Sequence, residues 1–106
     1  RQRQMCIRDS AWLVIISFAD RDTEALYLRQ PVRWLDFRLN RQALQKLRLL
    51  DSVVDLNELK IPPGNRLEAL KGDRAGQFSI RINNQWQICF VWTFMGPSEL
   101  EIVDYH

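Results

Sequence analysis

The chain has 106 residues, of which 46% are hydrophobic and 26% charged, and 15 Lys and Arg against 13 Asp and Glu give a net charge of +2. This length suits one domain with a single core, and the composition is typical of a folded globular protein, which excludes a disordered chain. No apolar run approaches the roughly 20 residues needed to cross a bilayer, so we expect no membrane-spanning segment.

The first ten residues, RQRQMCIRDS, show neither helical nor strand-like periodicity. They resemble the translation of a sequencing-library adapter, and we expect residues 1–10 to be foreign to a single domain that spans 13–106. The alternative is a genuine basic arm. Without this segment the charges balance, because it contains three arginines and one aspartate. Overall charge therefore gives no argument for nucleic-acid binding, which must rest on local clusters.

Cys89 is the one cysteine outside that segment. One cysteine cannot form an internal disulfide, so a reducing, cytoplasmic setting fits best. Cys89 lies in a strand-like run, which favours a half-buried packing role over that of a nucleophile. The His and Cys spacings suggest no metal site, and we expect no cofactor.

The first half of the chain predicts one strand and two helices. The β-branched run 13–18 is typical of a strand. Asp20 or Asp22 can cap a short helix that ends near Arg29, and a longer helix is predicted over 34–50. Its apolar residues recur every three or four positions and form one stripe: Leu35, Leu39, Ala43, Leu47 and Leu50.

The other side of the longer helix is basic. It carries Arg38, Arg41, Gln42, Gln45 and Arg48. This face can contact RNA, but a solvated surface is the simpler interpretation.

The second half of the chain predicts an antiparallel meander. One helical turn at 55–59 and a break at 62–65 precede a change from helical periodicity to a period of two. The predicted strands are 66–70, 77–83, 86–93 and a last one from residue 100, with turns at 71–74 and 95–98. The sequence therefore predicts an α+β fold, with two N-terminal helices packed on one face of a mainly antiparallel twisted sheet.

The pairing of the two longest inner strands follows from parity. Their apolar faces coincide only when paired residue numbers sum to an even number, and a three-residue loop at 83–85 satisfies this. We therefore expect Ile82 opposite Trp86 and Arg81 opposite Gln87. The second pair should lie on the face away from the helices, where a site can be built.

The candidate chemical groups are four cations after Pro63 and the C-terminal Asp-Tyr-His. They are Arg66, Lys71, Arg74, Arg81, Asp104, Tyr105 and His106. The sequence excludes a Ser-His-Asp triad and a Gly-rich phosphate loop. Cations suit a phosphate and its transition-state charge, and imidazole transfers protons near neutrality, which permits metal-free RNA cleavage by the 2′-hydroxyl. On composition alone, a frayed tail beside a solvated sheet face is the simpler alternative.

Several specific motifs follow one another in this half of the chain: PPGNRL at 62–67, LKGDR at 70–74, GQFSIRIN at 76–83, QW at 85–86 and IVDYH at 102–106. With these motifs the chain resembles, from about residue 16 to the end, the HigB-like toxins of the RelE/ParE superfamily. The helix over 33–50 matches only in pattern.

The resemblance implies a RelE/ParE-like fold and the toxin of a type II toxin–antitoxin system. Such a toxin is a ribosome-dependent mRNA endonuclease, an mRNA interferase that enters the ribosomal A site and inhibits growth. The implied partners are a helix-turn-helix, HigA-like antitoxin, the ribosome and mRNA. Operator DNA is bound only through the antitoxin, and no membrane is involved.

The resemblance also assigns roles to residues. Asp104, Tyr105 and His106 become proton-transfer and base-stacking groups, although strand alternation points Tyr105 away from the other two. Lys71 and Arg81 become phosphate-binding groups that stabilise the transition state. Three further residues are expected to contact RNA or phosphate: Arg66, Arg74 and Gln87. Of these, Arg74 is the weaker candidate because it can pair with its neighbour Asp73.

The sequence departs from the family pattern after Trp86, where Arg is typical and Gln87 stands here. Glu68 stands where some relatives place a His. Losing a cation opposite Arg81 could cost on the order of 10²-fold in rate. One alternative is therefore a catalytically weakened toxin that acts as an antitoxin-binding partner. Another is a gyrase inhibitor like the ParE branch, against which the DYH terminus argues.

Overall fold

The computed structural model describes residues 15–30, 32 and 36–104. Two helices and a four-stranded antiparallel sheet confirm the predicted α+β class. The helices are α1 (Arg21–Tyr27) and α2 (Phe37–Leu50). The strands pair in chain order and are β1 (Glu68–Ala69), β2 (Phe78–Arg81), β3 (Trp86–Thr93) and β4 (Gly96–Asp104). The expectations for residues 1–10, Leu35, Tyr105 and His106 fall outside the described residues.

Both helices begin at an aspartate that caps the first turn. Asp20 accepts a hydrogen bond from the Thr23 amide at 2.8 Å, which decides between the two predicted caps of α1. Asp36 accepts from the Leu39 amide at 2.8 Å. Because the backbone of Asp36 is extended, α2 begins at Phe37, three residues later than predicted.

The core lies between the helices and one face of the sheet. The predicted stripe of α2 is buried at Leu39, Ala43, Leu47 and Leu50. It packs with alternate residues of the strands, namely Ile80, Ile88, Phe90, Leu100 and Ile102. This burial confirms that the helices cover the even-numbered side of β2 and β3. The odd-numbered side of these strands faces away from them.

The strand predicted at 13–18 is not formed in its described part. Residues 15–18 make one isolated parallel bridge, between Phe18 and Leu100. The Ile16 amide donates to the Pro97 carbonyl at 2.8 Å, so the segment does follow β4. Beside it, β4 is irregular: Glu99 has a φ of 55°, and the β3–β4 register shifts nearby. This bulge breaks the even spacing that a parallel pairing needs.

Other strand ends also differ from prediction. β1 has only two residues, because Arg66 adopts a left-handed conformation with a φ of 49°. Single 3₁₀ turns occupy Leu56–Lys60, Pro63–Asn65 and Gly72–Arg74, which confirms the predicted turns at 55–59 and 71–74. The last turn lies at Phe94 and Met95, so β4 begins earlier than predicted.

Candidate functional site

The predicted pair of Arg81 and Gln87 is present in the sheet. Arg81 pairs with Gln87 between β2 and β3, and Gln87 pairs with Val103 of β4. Because their neighbours Ile80 and Ile88 point into the core, these residues lie on the face away from the helices. Both Arg81 and Gln87 are half-buried. The predicted pairing of Arg81 with Gln87 is confirmed.

The loop at 83–85 fixes the Arg81 side chain. Its Nε donates to the Asn83 carbonyl at 3.0 Å, and its guanidinium also donates to Oδ1 of Asn84. Asn83 Oδ1 in turn accepts from the amides of Gln85 and Trp86 at 2.8 and 2.9 Å. Asn83 and Asn84 were not among the residues predicted for the site, although an Asn at the start of a short loop is a known signal for this type of turn.

Asp104 reaches the same loop from the other side of the sheet. It pairs with Trp86 and therefore lies on the helix-facing side, opposite to Arg81. Its Oδ2 accepts a hydrogen bond from Gln85 Nε2 at 3.1 Å. The loop thus contacts both Arg81 and Asp104, although their side chains point to opposite faces of the sheet. Tyr105 and His106 lie outside the described residues.

The Arg74 side chain lies on the sheet face away from the helices. It forms an ion pair with Glu101 rather than with Asp73. Its two Nη atoms lie 3.1 Å from Gln77 Oε1 and 3.1 Å from Glu101 Oε1. Glu101 pairs with Cys89, two residues along β3 from Gln87. Since alternate residues on one face are about 7 Å apart, Glu101 lies one step along the sheet from the row of Arg81 and Gln87, and Arg74 reaches it from the side of Gln77.

Cys89 is completely buried beneath this ion pair. Burial raises the pKa of its thiol, and nearby Glu101 adds to that rise while Arg74 opposes it. A buried thiol with a raised pKa is a poor nucleophile. The predicted packing role is confirmed, with deeper burial than expected.

Lys71 and Arg66 lie at opposite ends of β2. Lys71 precedes the Gly72–Arg74 turn and follows Leu70, whose amide donates to the Gln77 carbonyl, so it lies before the start of β2 and about 17 Å along the strand from Arg81. Arg66 lies two residues before Glu68, which pairs with Ser79, so this register continues toward Arg81. Both cations are exposed and have no side-chain partner among the described residues. Arg66 is therefore the better placed of the two beside Arg81.

Two global properties concern the described part of the chain. No group of three or more His, Cys, Asp or Glu side chains there is placed to hold a metal ion. Among these same residues, no helix has the length and apolarity that crossing a membrane requires.

The sequence is similar to known toxins. Residues 16–106 match the HigB-like toxin family, described as RelE-like toxins of the type II toxin–antitoxin system HigB. The chain is also 46% identical over 48 residues to toxin HigB-1 of Vibrio cholerae serotype O1. That alignment covers 45% of this chain and 50% of the relative. In this match the chain therefore spans about half the length of the relative. The family match extends over most of the sequence, through both helices and all four strands, so the chain belongs to the HigB-like family of RelE-like toxins.

Proposed function

We propose that this protein is a ribosome-dependent endoribonuclease that cleaves translated mRNA by metal-free acid–base catalysis. It acts in the cytoplasm, where a helix-turn-helix, HigA-like antitoxin neutralises it. Membership of the HigB-like family supports a toxin with an antitoxin partner. The structural observation that carries the chemistry is the loop at 83–85, which contacts both Arg81 and Asp104.

In the proposed reaction the RNA supplies its own nucleophile. A base removes the proton of the 2′-hydroxyl, and the 2′-oxygen attacks the adjacent phosphorus. The bond to the 5′-oxygen breaks, and an acid protonates this leaving group. The products are a 2′,3′-cyclic phosphate and a 5′-hydroxyl. No external water, metal or cofactor takes part in this step.

Arg81 is the proposed group that stabilises the pentavalent phosphate. A guanidinium has five N–H donors, and the loop engages Nε and one Nη of Arg81. The remaining donors can bind two phosphate oxygens while the loop holds the group in place. Such preorganised donors are worth about 10²-fold to 10³-fold in rate. Arg66 is proposed as a second phosphate contact and Lys71 as a more distant one.

The proton-transfer roles are proposed for the C-terminal residues. Asp104 is oriented by its hydrogen bond from Gln85 and brings a carboxylate to the end of the sheet where Arg81 lies. His106 is proposed to supply an imidazole for proton transfer, and Tyr105 is proposed to stack on a base. These assignments rest on the family resemblance of the IVDYH motif.

The test is expression without antitoxin, followed by mapping of mRNA 5′ ends by primer extension. The wild type should arrest growth and produce new 5′ ends within translated regions. Arg81→Ala and His106→Gln should relieve both effects, whereas Arg21→Ala, an exposed arginine at the start of α1, should not. Arrest with intact mRNA would contradict the proposal. Toxicity that survives deletion of residues 104–106 would favour gyrase inhibition instead.

A further inference from the structure

A groove of about 420 Å³ lies on the exposed side of α2. Among the described residues, its lining includes Phe37, Arg38, Arg41, Gln42 and Gln45. This is the polar side of the helix, opposite the buried stripe. None of the toxin chemistry described above uses it.

The helix that forms this groove carries an excess of positive charge. Between residues 37 and 50 there are three arginines and one lysine and no acidic residue. The flanking Asp36 caps the helix, and Asp51 accepts hydrogen bonds from Tyr27 and the Ile15 amide; with both counted, four cations still stand against two carboxylates. In a chain whose charges otherwise nearly balance, this local excess favours a polyanionic ligand.

Phe37 gives the groove an aromatic surface. Its side chain is 77% exposed, an unusual position for a ring of this size. The Arg41 guanidinium lies 5.9 Å from the centre of the ring. An exposed ring beside a cation is the combination on which a nucleic-acid base stacks while its phosphate is neutralised.

The groove is connected to the proposed catalytic site. Gln42, one of its lining residues, accepts a hydrogen bond from Asn83 Nδ2 at 3.2 Å. Asn83 belongs to the loop that holds Arg81. Because the Arg81 side chain and α2 lie on opposite sides of the sheet, a bound strand would pass around the loop at 83–85 to reach both.

We infer that this groove binds a single-stranded segment of RNA next to the phosphate that is cleaved. Arg38 and Arg41 neutralise its phosphates, one base stacks on Phe37, and Gln42 and Gln45 hydrogen-bond to base edges or sugars. The inference deepens the proposed function and rests on it for the identity of the RNA as substrate. The interaction is one of binding only, so it needs no catalytic group.

The test measures RNA binding separately from cleavage. The full chain carrying Arg81→Ala, which leaves RNA uncut, is titrated against a fluorescein-labelled RNA of about 12 nucleotides at low salt, with anisotropy as the readout. Adding Phe37→Ala should weaken binding about tenfold, through loss of one stacked base. Adding Arg41→Gln should reduce the slope of log affinity against log salt by about 0.7.

Arg21→Gln is the matched control, because it removes the same charge from an exposed position of α1, outside the groove and outside the basic side of α2. It should change the affinity less than twofold. Equal losses in Arg41→Gln and Arg21→Gln would overturn the inference by showing diffuse electrostatic attraction. Unchanged affinity in the groove variants, or no measurable binding of the RNA, would also overturn it. So would loss of antitoxin co-purification without loss of RNA binding, which would assign the groove to a protein partner.

Failure of the proposed function is distinguishable from failure of this inference. Intact mRNA in arrested cells contradicts the function and leaves the anisotropy result in place. Cleaved mRNA together with groove variants that bind RNA normally contradicts the inference alone.

Discussion

Arg81 lies directly opposite Gln87 between β2 and β3, on the sheet face that points away from the helices. The next pair on this face, Cys89 with Glu101, carries the ion pair with Arg74. Position 87 therefore lies opposite the guanidinium of Arg81 and one step along β3 from the residue that pairs with Glu101, the partner of Arg74. A change of charge at this position acts on the proposed phosphate site more directly than one elsewhere on the sheet.

Gln87→Arg should increase the rate of mRNA cleavage, on the order of 10²-fold if Gln87 stands in for a cation that stabilises the transition state. The measurement is the single-turnover cleavage rate of mRNA on programmed ribosomes. Gln30→Arg, which adds the same charge at an exposed position after α1, serves as control and should leave the rate unchanged. An unaltered rate in the Gln87 variant would show that position 87 does not approach the reacting phosphate.

Asn83→Ala should lower the cleavage rate through displacement of the loop that holds Arg81. The substitution leaves the amides of Gln85 and Trp86 without their acceptor and costs about 1–2 kcal/mol of unfolding free energy. Asn83→Asp keeps this acceptor oxygen, loses the hydrogen bond to Gln42 and adds a negative charge near Arg81. It should therefore retain most of the stability in urea unfolding, and it serves as the control for stability alone. An unchanged cleavage rate in Asn83→Ala would show that the turn is not what positions Arg81.

The position of Arg81 was predictable because alternation along a strand fixes which side chains share a face. Once the apolar sides of β2 and β3 are required to coincide, only one parity of pairing remains, and the observed register has it. The buried stripe of α2 was predictable for the same reason, since its period matches that of a helix.

The contacts of Arg74 were not predictable from local pattern. Its nearest carboxylate in sequence is Asp73, but the chain between β1 and β2 folds over the sheet and brings Glu101, 27 residues away, within 3.1 Å. The start of α2 was also misjudged, because apolar periodicity continues through residues 34 and 35 while Asp36 caps the helix. The contact of Arg74 depends on tertiary structure, and the start of α2 depends on one capping residue. Apolar periodicity predicts neither of them.

Glu101→Gln should reduce stability only slightly, by less than about 1 kcal/mol, because the pair with Arg74 is partly solvated. The side chains of Arg74 and Glu101 are 38% and 33% exposed. A double-mutant cycle with Arg74→Gln, followed by urea unfolding, isolates the coupling between them. A coupling energy well above 1 kcal/mol would show that Arg74 and Glu101 are less exposed to water than the structure indicates.

Asn65→Ala should be among the most destabilising single substitutions in the chain, at about 2–4 kcal/mol. Asn65 is completely buried, and its Nδ2 donates to the carbonyls of Leu59 and Ile61 at 3.2 and 3.3 Å. Its Oδ1 accepts from the Lys46 ammonium, whose pKa is lowered by burial. Urea unfolding measures the loss, and Asn57→Ala, at an exposed asparagine, is the control. A loss no larger than that of the control would show that water replaces these bonds.

In a Cys6→Ser variant, which leaves Cys89 as the one thiol, Cys89 should react slowly with thiol reagents in the folded protein and rapidly in urea. Burial raises the pKa of the Cys89 thiol above the ordinary value of 9.0, so the folded state retains the thiol proton at a pH where the unfolded state has begun to lose it. The sign of the linkage follows: this contribution to stability is complete below pH 9.0 and decreases as the pH rises toward the folded pKa. Cys89→Ala should lack that alkaline decrease in urea unfolding. Rapid labelling of the folded protein would show instead that Cys89 often becomes exposed to solvent, and that the Arg74–Glu101 ion pair does not keep it covered.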